Sequence, residues 1–431
     1  MCGVFGWIKF REDFTDRETR AAQSALRSLV HRGPDAEGKV MDPRLFVGHR
    51  RLSILDLSDA ANQPFARPGS RALLSFNGEI YDFIELRPEL EKLGVEFHTH
   101  SDTEVVYWAL RHWGTDALAR FDGMFAGAWH DRDRDEHILF RDAMGQKPLY
   151  YYAYDGGLIY ASELRALLAI EGLGWRIDKD SFHRFLANAY YAWDTTPIVG
   201  VRKLLPGALL RIRGGNISQE QWWHSVPGED SIAISPDEAV TETLRLLAES
   251  CRITLRSDVP VGVFLSGGID STLIYKLVAE AGADLSAFTV TMSEPDYDES
   301  AKAREAVAAT AGGGRHREFH FNAQVLQSAM TEVLARMDEP HGDPGFINAY
   351  AISRAARADI TVAIAGDGAD ELFCGYLPFK AAAPGAALGH LPGPLLSGAR
   401  SLARMLPGSD GYLGLQFKVL SFLNGVGAPP L

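Results

Sequence analysis

Cysteine is scarce in this chain: three residues in 431, Cys2, Cys251 and Cys374. Three cysteines cannot build a disulfide framework, and the expected setting is a reducing compartment. Long apolar runs are lacking too. No stretch approaches the roughly 18 residues of a transmembrane helix, so none is expected. The opening residues, MCGVFGWIKFRED, turn charged too early for a signal peptide. Basic excess is also missing: the net charge is −13, whereas general nucleic-acid and anionic-membrane binders need a positive surface. The expectation is a soluble cytoplasmic protein whose partners are small molecules, with no nucleic acid and no membrane. A small anionic ligand stays open if a local cradle exists.

What is present is enough apolar material for real cores: 46% hydrophobic residues exclude a disordered chain. At about 100–200 residues per domain, the length suggests two domains. Two textures divide them. From Cys2 to about His224 short strands rich in aromatic and β-branched residues (CGVFGWI, ALLSFNGEI, GMFAGAWHD, EHILFRD) alternate with a few helices, an α+β pattern. Ser225–Ser235 has the composition of a linker. Ser235-Pro-Asp-Glu238 then reads as a capping box with proline at the first helical position, opening a helix to about Ser257. Strand and helix alternate beyond it (VGVFL, TLIYKLVAEAG, SAFTVTM, ESAKAREAVAATAG, REFHF), which implies an α/β domain with a parallel sheet covered on both faces. The tail from about Ala381 holds one amphipathic helix, LLSGARSLARML, and stops at GVGAPPL without a closing element, so it reads as a cut.

Chemistry is concentrated in two places. The first is Cys2. With Met1 removed, one residue carries both a thiol and an α-amine whose pKa of about 7.7–8.0 suits a general base. That is the logic of an N-terminal nucleophile, against the alternative of a small core cysteine. Asn77 and Gly78 in FNGEIYDF, just after an apolar strand, suit an oxyanion hole or, equally, an Asn-Gly hairpin turn. Arg50 in GHRRLSILDLS can fork onto a carboxylate. Asp102 in HSDTEVV suits an ammonium group or a helix first turn. Gly33 and Pro34 of HRGPD read as a helix cap and stop. A thiol, an oxyanion hole, a carboxylate clamp and an ammonium partner together describe an amino-acid amide as substrate.

MCGVFGW, HRGPD, GHRRLSILDLS, FNGEIYDF, SDTEVV, RDAMGQKPLYY, YASELRAL and LLPGALL, in that order over most of residues 2 to 210, resemble the glutamine amidotransferase domain of class B asparagine synthetases. The resemblance implies an αββα sandwich of the N-terminal nucleophile hydrolase type. It implies that Cys2 attacks the glutamine side-chain amide, Asn77 and Gly78 hold the oxyanion, Glu79 contacts the substrate, Arg50 binds its carboxylate and Asp102 its α-amino group.

The second place is VGVFL-SGGIDST-LIYKLV: strand, glycine-rich loop, helix. Gly267 and Gly268 let backbone approach an anion, and Ser266, Ser271 and Thr272 add hydroxyls at a helix N-terminus. It lacks the Gly-Lys-Ser/Thr of a Walker loop. Asp270 beside phosphate calls for Mg²⁺ between them. ITVAIA-GDGADELFCGY repeats the arrangement, with Asp367, Asp370 and Glu371 in one turn. Both loops are expected at the carboxyl edge of the sheet, where ligands bind. The pair resembles the PP-loop ATP pyrophosphatase domain of the same family. It implies ATP attacked at the α-phosphate by a carboxylate, Mg²⁺ shared by Asp270 and Asp370, and Asp367 needed for adenylate formation. Phe264, Leu265, Ser266, Gly267, Gly268, Asp270, Ser271, Val290, Ala365 and Gly366 would contact ATP or pyrophosphate. DYDES (296–300) and MDEPHGDP (337–344) fit the same pattern, and Cys374 stands where the family has glycine.

The resulting expectation is a glutaminase domain over 2–224 and an ATP-binding domain over 235–431, truncated at its C-terminus. Together they form a carbon–nitrogen ligase that makes asparagine from aspartate, glutamine and ATP, with a homodimer possible. The alternatives are another carboxylate as acceptor, in specialised or polysaccharide biosynthesis, and a truncated glutamine- or nucleotide-binding protein without synthetase activity.

Overall fold

A computed structural model describes residues 1–224, 232–282, 285–295, 298–310, 314–407 and 414–426. Most of the expected linker (225–231), the first two residues of DYDES (296–297) and the end of the tail (427–431) lie outside the described residues. The chain forms two compact units, Met1–Gly268 with Thr272–Ile364, and Ile269–Ser271 with Ala365–Leu431.

The N-terminal part of the first unit runs β1 (Gly3–Lys9), α1 (Asp16–Arg27), β2 (Ala36–Asp42), β3 (Leu45–Arg51), β4 (Ala72–Ile80), α2 (Phe83–Lys92), α3 (Asp102–Trp113), β5 (Gly123–Asp131), β6 (Glu136–Arg141), β7 (Tyr150–Tyr154), β8 (Gly157–Ala161), α4 (Leu164–Leu168), α5 (Lys179–Asn188), β9 (Val201–Lys203), β10 (Ala208–Arg213) and β11 (Asn216–Gln221). The strands form two sheets, ordered β2-β3-β1-β8-β7-β9 and β11-β10-β6-β5-β4. Every pairing in both is antiparallel. One core lies between the sheets (Val4, Val47, Leu73, Leu139, Leu158, Leu210). A second packs α2 and α3 on the five-stranded sheet (Leu74, Phe76, Leu86, Val106, Phe140). A third packs α1 and α4 on the six-stranded one (Phe5, Leu26, Phe46, Leu167). The result is the expected αββα sandwich. Because both faces of β4 are covered, Leu73 turns to one core and Leu74 and Phe76 to another, so the strand is apolar along most of its length.

Two local readings are corrected. α1 ends at Arg27 with Ser28 as its cap, so Gly33 is not a helix cap. A Cβ at Gly33 would lie 2.2 Å from the backbone of Arg50, and glycine is there to let the chain pass β3. Asn77, Gly78 and Glu79 lie inside β4, paired with Ala126, Phe125 and Met124 of β5, and not in a hairpin turn after it.

The sandwich also encloses a polar chain. The Nδ1 atoms of His130 and His137 approach to 2.9 Å, and His130 Nε2 lies 2.8 Å from the Tyr160 hydroxyl. Burial lowers His137 to about 4 and His130 well below the ordinary value, so both rings are neutral at pH 7.

The remainder of the first unit is a four-stranded parallel sheet. Its helices and strands are α6 (Pro236–Thr254), β12 (Val261–Phe264), α7 (Ile269–Glu280), β13 (Ser286–Met292), α8 (Ser300–Ala309), β14 (Arg315–Phe321), α9 (Ala323–Arg336), α10 (Gly345–Ala356) and β15 (Val362–Ile364), and the strand order is β14-β13-β12-β15. Only the first three residues of α7 belong to the second unit. Separate apolar clusters cover the two faces, one with Cys251, Tyr275 and Ala303, the other with Ala329, Ala351 and Ile352. α6 opens on the Ser235–Glu238 capping box with Pro236 at its start, as the sequence implies. The second unit continues with α11 (Ala369–Phe373), α12 (Leu377–Leu388), α13 (Gly393–Ala403) and α14 (Leu415–Gly425). No helix among the described residues is long and apolar enough to cross a membrane.

Candidate active site

Cys2 immediately precedes β1. Its Sγ accepts from the Leu52 N–H at 3.4 Å, and its carbonyl accepts from Arg32 Nε at 2.8 Å. It faces a cavity of about 310 Å³, lined among others by Arg51, Leu52, Asn77, Gly78, Glu79, Asp102 and Lys147. That volume is near the lower end of ligand cavities, about 300–1,000 Å³, and suits a single amino acid. The parallel-sheet part supplies one wall, Thr361, Val362 and Ala363.

Asn77 is the most telling side chain. It is 1% exposed, yet neither its Nδ2 nor its Oδ1 has a hydrogen-bond partner. A buried amide left unpaired costs about 1–3 kcal/mol, and this one lines the cavity, where a ligand oxygen would satisfy it. Gly78 keeps β4 close to β5, since a Cβ there would sit 2.3 Å from the Met124 carbonyl.

The charges are mixed. Asp102, 4% exposed, opens α3 behind its N-cap Ser101 and accepts from the Ile80 N–H at 3.1 Å. Burial, only partly offset by the N–H groups and hydroxyls around it, raises it to about 6. Burial and the neighbouring Asp102 raise Glu79 to about 7. Burial lowers Lys147, lowers the Met1 α-amine to about 6, and raises the Cys2 thiol. The Met1 amine is therefore largely unprotonated at pH 7.

Arg50 is not in the cavity. Successive strand residues point to opposite faces, and Arg50 turns to Glu37 of β2, with Nη1 2.5 Å from the carboxylate. Its neighbour Arg51 lines the cavity. Arg51 donates to the Ser58 carbonyl at 2.8 Å, Asn62 Oδ1 at 2.9 Å, the Leu55 carbonyl at 3.2 Å and the Asp56 carbonyl. All four acceptors are uncharged. The sequence reading also missed Lys147, although it lies in the RDAMGQKPLYY motif. It missed Gln63 as well, whose side chain exchanges two hydrogen bonds with the Phe76 backbone beside Asn77.

The residues expected to hold ATP divide between the two units. In the first, β12 ends at Phe264. Leu265 is buried, and its carbonyl accepts from Thr289 Oγ1 at 2.7 Å. Val290 and Phe264 lie against the same apolar cluster. Gly267 has φ +83°, and a Cβ there would meet the Ala303 amide at 2.6 Å. The Gly268 N–H donates to Ser266 Oγ at 3.2 Å. In the second unit Gly366, next to Ala365, lies against the start of α7: a Cβ would be 3.1 Å from the Ser271 amide and 3.2 Å from Asp270 Cβ. Asp367 follows, then Gly368 at φ +92° caps α11, whose first turn carries Asp370 and Glu371. Asp370 lies over Gly375, where a Cβ would be 1.9 Å from its Oδ1. Cys374 has φ +55°, the left-handed conformation that favours glycine. Close-packed glycines, hydroxyls and a helix N-terminus fit a phosphate chain. Magnesium takes one or two carboxylates plus substrate phosphates. Among the described residues no group of three His, Cys, Asp or Glu side chains is placed to hold a metal by itself.

Fold and cavity together define an αββα sandwich with a thiol-bearing cavity, joined to a parallel-sheet part with a glycine-rich loop. Residues 1–223 match the sequence model of the glutamine amidotransferase domain and residues 242–411 that of asparagine synthase. The chain belongs to the glutamine amidotransferase family, and a segment matching the asparagine synthase model follows. It is 34% identical to glutamine-hydrolysing asparagine synthetase 1 of Bacillus subtilis, over 87% of this chain and 59% of that protein. It is 30% identical to amidase chyE of Penicillium rubens, over 88% of this chain and 60% of that protein. The chain thus spans about three fifths of the length of these curated relatives. Among solved structures, the glutamine phosphoribosylpyrophosphate amidotransferase of B. subtilis aligns with a TM-score of 0.40 and 17% identity, over 74% of this chain and 81% of that one.

Proposed function

We propose that this protein is a glutamine-dependent, ATP-consuming amidotransferase, with a glutaminase domain over 2–224 and an ATP-binding domain over 235–431. The observation that carries the reading is the unpaired Asn77 amide in a cavity that also holds Cys2. Cys2 Sγ attacks the side-chain carbonyl of glutamine, and Asn77 and the Gly78 N–H take up the oxyanion. Removal of Met1 gives Cys2 the α-amine that accepts the thiol proton and returns it to the departing ammonia. Water then releases glutamate from the thioester. Asp102 holds the substrate ammonium, Glu79 lies beside it, and Arg51, in place of Arg50, draws the carboxylate.

At the second site a carboxylate substrate attacks the α-phosphate of ATP, releasing pyrophosphate, and ammonia displaces AMP from the acyl-adenylate. Phe264, Leu265, Ser266, Gly267, Gly268, Ser271, Val290, Ala365 and Gly366 bind the nucleotide, and Asp367 assists adenylation. Asp270 and Asp370 would hold Mg²⁺, which would neutralise phosphate charge. Ammonia passing internally stays nucleophilic, because in neutral water it is mostly protonated. The preferred acceptor is aspartate, giving asparagine, and the named synthetase relative supports it. A second reading, amidation of a different carboxylate, is supported by the amidase relative of similar identity. The setting is cytoplasmic, and a homodimer is compatible with the reading.

The test is intact mass before and after treatment with the glutamine analogue diazo-oxo-norleucine, with Cys2→Ala as control. Loss of Met1 and a single Cys2-dependent adduct are expected. An unlabelled wild type refutes the thiol site. Pyrophosphate release with aspartate against a panel of other acids then decides the acceptor.

A further inference from the structure

The wall of the thiol cavity that carries Arg51 is braced by a residue from the other half of the chain. After β3 the backbone runs through Leu52, Ile54 and Leu55, all of which line the cavity, to Asp56. Asp56 is left-handed, φ +52°, which costs a non-glycine residue about 1–2 kcal/mol and persists only where the surroundings impose it. Besides the bond from Arg51 to its carbonyl, four hydrogen bonds hold it, one of them from the Ser58 hydroxyl to the carboxylate at 2.6 Å. The Asp56 carboxylate accepts from the His100 N–H at 2.7 Å and from the Ser58 N–H at 3.1 Å. The Asp56 N–H donates to Asp258 Oδ2 at 2.7 Å.

Asp258 lies between α6 and β12. It closes a reciprocal pair, because its own N–H donates to the Ile54 carbonyl at 3.0 Å. The segment pinned at Ile54 and Asp56 presents the two carbonyls, of Leu55 and Asp56, that receive Arg51 Nη2. Nearby Arg256 is engaged elsewhere, with Glu85 and the Tyr81 carbonyl. Asp258 therefore acts on the cavity through one backbone N–H, and what that N–H needs is an acceptor oxygen.

We propose that Asp258 is a positioning residue for amino-acid binding at the thiol cavity: by anchoring Asp56 it sets the place of the Arg51 guanidinium that meets the substrate carboxylate. The proposal rests on the glutaminase reading given above. It makes a residue of the ATP-binding half a determinant of glutamine affinity, while leaving the thiol and the oxyanion hole untouched.

The experiment compares the full chain with its Asp258→Ala and Asp258→Asn variants. Glutamate release is measured against glutamine concentration, and Cys2 alkylation is measured with iodoacetamide, a neutral electrophile without a carboxylate. Asp258→Ala is expected to raise KM for glutamine about tenfold, equivalent to about 1.4 kcal/mol, with kcat and the alkylation rate little changed. Asp258→Asn keeps an acceptor oxygen and is expected to restore KM to within about twofold of wild type. An unshifted KM in Asp258→Ala overturns the proposal. So does an Asn variant as impaired as Ala, or a fall in kcat and alkylation together, which would mark general loosening. A wild type that alkylates but releases no glutamate overturns the glutaminase reading, and this proposal with it.

Discussion

Asp102 allows a quantitative test of the glutamine site. Its carboxylate is raised to about 6 by burial, and only its ionised form can pair with an ammonium group. With a free-state pKa near 6, the fraction able to bind is about nine tenths at pH 7 and about one tenth at pH 5. KM for glutamine should therefore rise about tenfold between pH 7 and pH 5, steepening toward one decade per pH unit. The groups facing it are Glu79, which takes up its proton nearer pH 7, Lys147, Arg51 and the α-amine. Replacing Asp102 with Asn removes one partner of a buried charge pair, worth about 2–5 kcal/mol. KM at pH 8 should rise about thirtyfold or more on that scale, and the Asp102 acid limb should vanish. Stability should move the other way. A carboxyl raised in the folded state stabilises below its unfolded pKa of about 3.8, and that contribution is lost as pH rises through about 6. The wild type thus loses about 2.4 kcal/mol from this residue between pH 4 and pH 7.5, and Asp102→Asn does not. The assays are steady-state glutamate release from pH 5 to 8.5 and urea denaturation of both proteins. A wild-type KM that is flat from pH 5 to 7, or an acid limb that survives in the Asn variant, refutes the assignment.

Asn77→Ala should lower kcat for glutamine hydrolysis about 10²–10³-fold with little loss of stability, since the amide has no protein partner to lose; kinetics and a thermal melt on the same sample check both. Cys374→Gly should stabilise the turn after α11 by roughly 0.5–1 kcal/mol, because glycine adopts positive φ without the steric cost that cysteine meets; chemical denaturation reads it. The buried imidazoles predict acid lability: His49, lowered to about 3, and His137, lowered to about 4, stabilise above their unfolded value near 6.5. Each should lose about 2 kcal/mol of that stability between pH 8 and pH 5, measured as the change in urea midpoint for wild type against His137→Phe.

Local grammar was readable where the cause is local. The capping box at Ser235 and the strand–helix alternation after it each depend on neighbouring residues, and both appear in the structure. Readings that depended on a distant partner were harder. GHRRLSILDLS offers two adjacent arginines, and only the face that β3 turns toward β4 decides which one reaches the cavity. The Asn-Gly pair resembled a turn because its sequence does not reveal that β5 lies alongside. Gly33 resembled a helix cap because the backbone it makes room for is Arg50, well along the chain. Gln63 and the wall from Thr361 to Ala363 reach the cavity only through long-range packing, and no pattern around them announces it.

The buried chain from Tyr160 to His137 has a direction. Two neutral imidazoles meeting through Nδ1 cannot both carry a hydrogen there, so one is the Nδ1–H tautomer and the other the Nε2–H tautomer. His137 Nε2 lies 4.0 Å from the Asp135 carboxylate, which favours a hydrogen on that nitrogen over a lone pair. His137 is then the Nε2–H form and accepts at Nδ1, His130 donates from Nδ1 and accepts at Nε2, and the Tyr160 hydroxyl is the donor that starts the row. The three groups form an ordered wire of dipoles pointing from the middle of the sandwich to its rim. Nitrogen-15 shifts of the two rings would reveal its polarity directly.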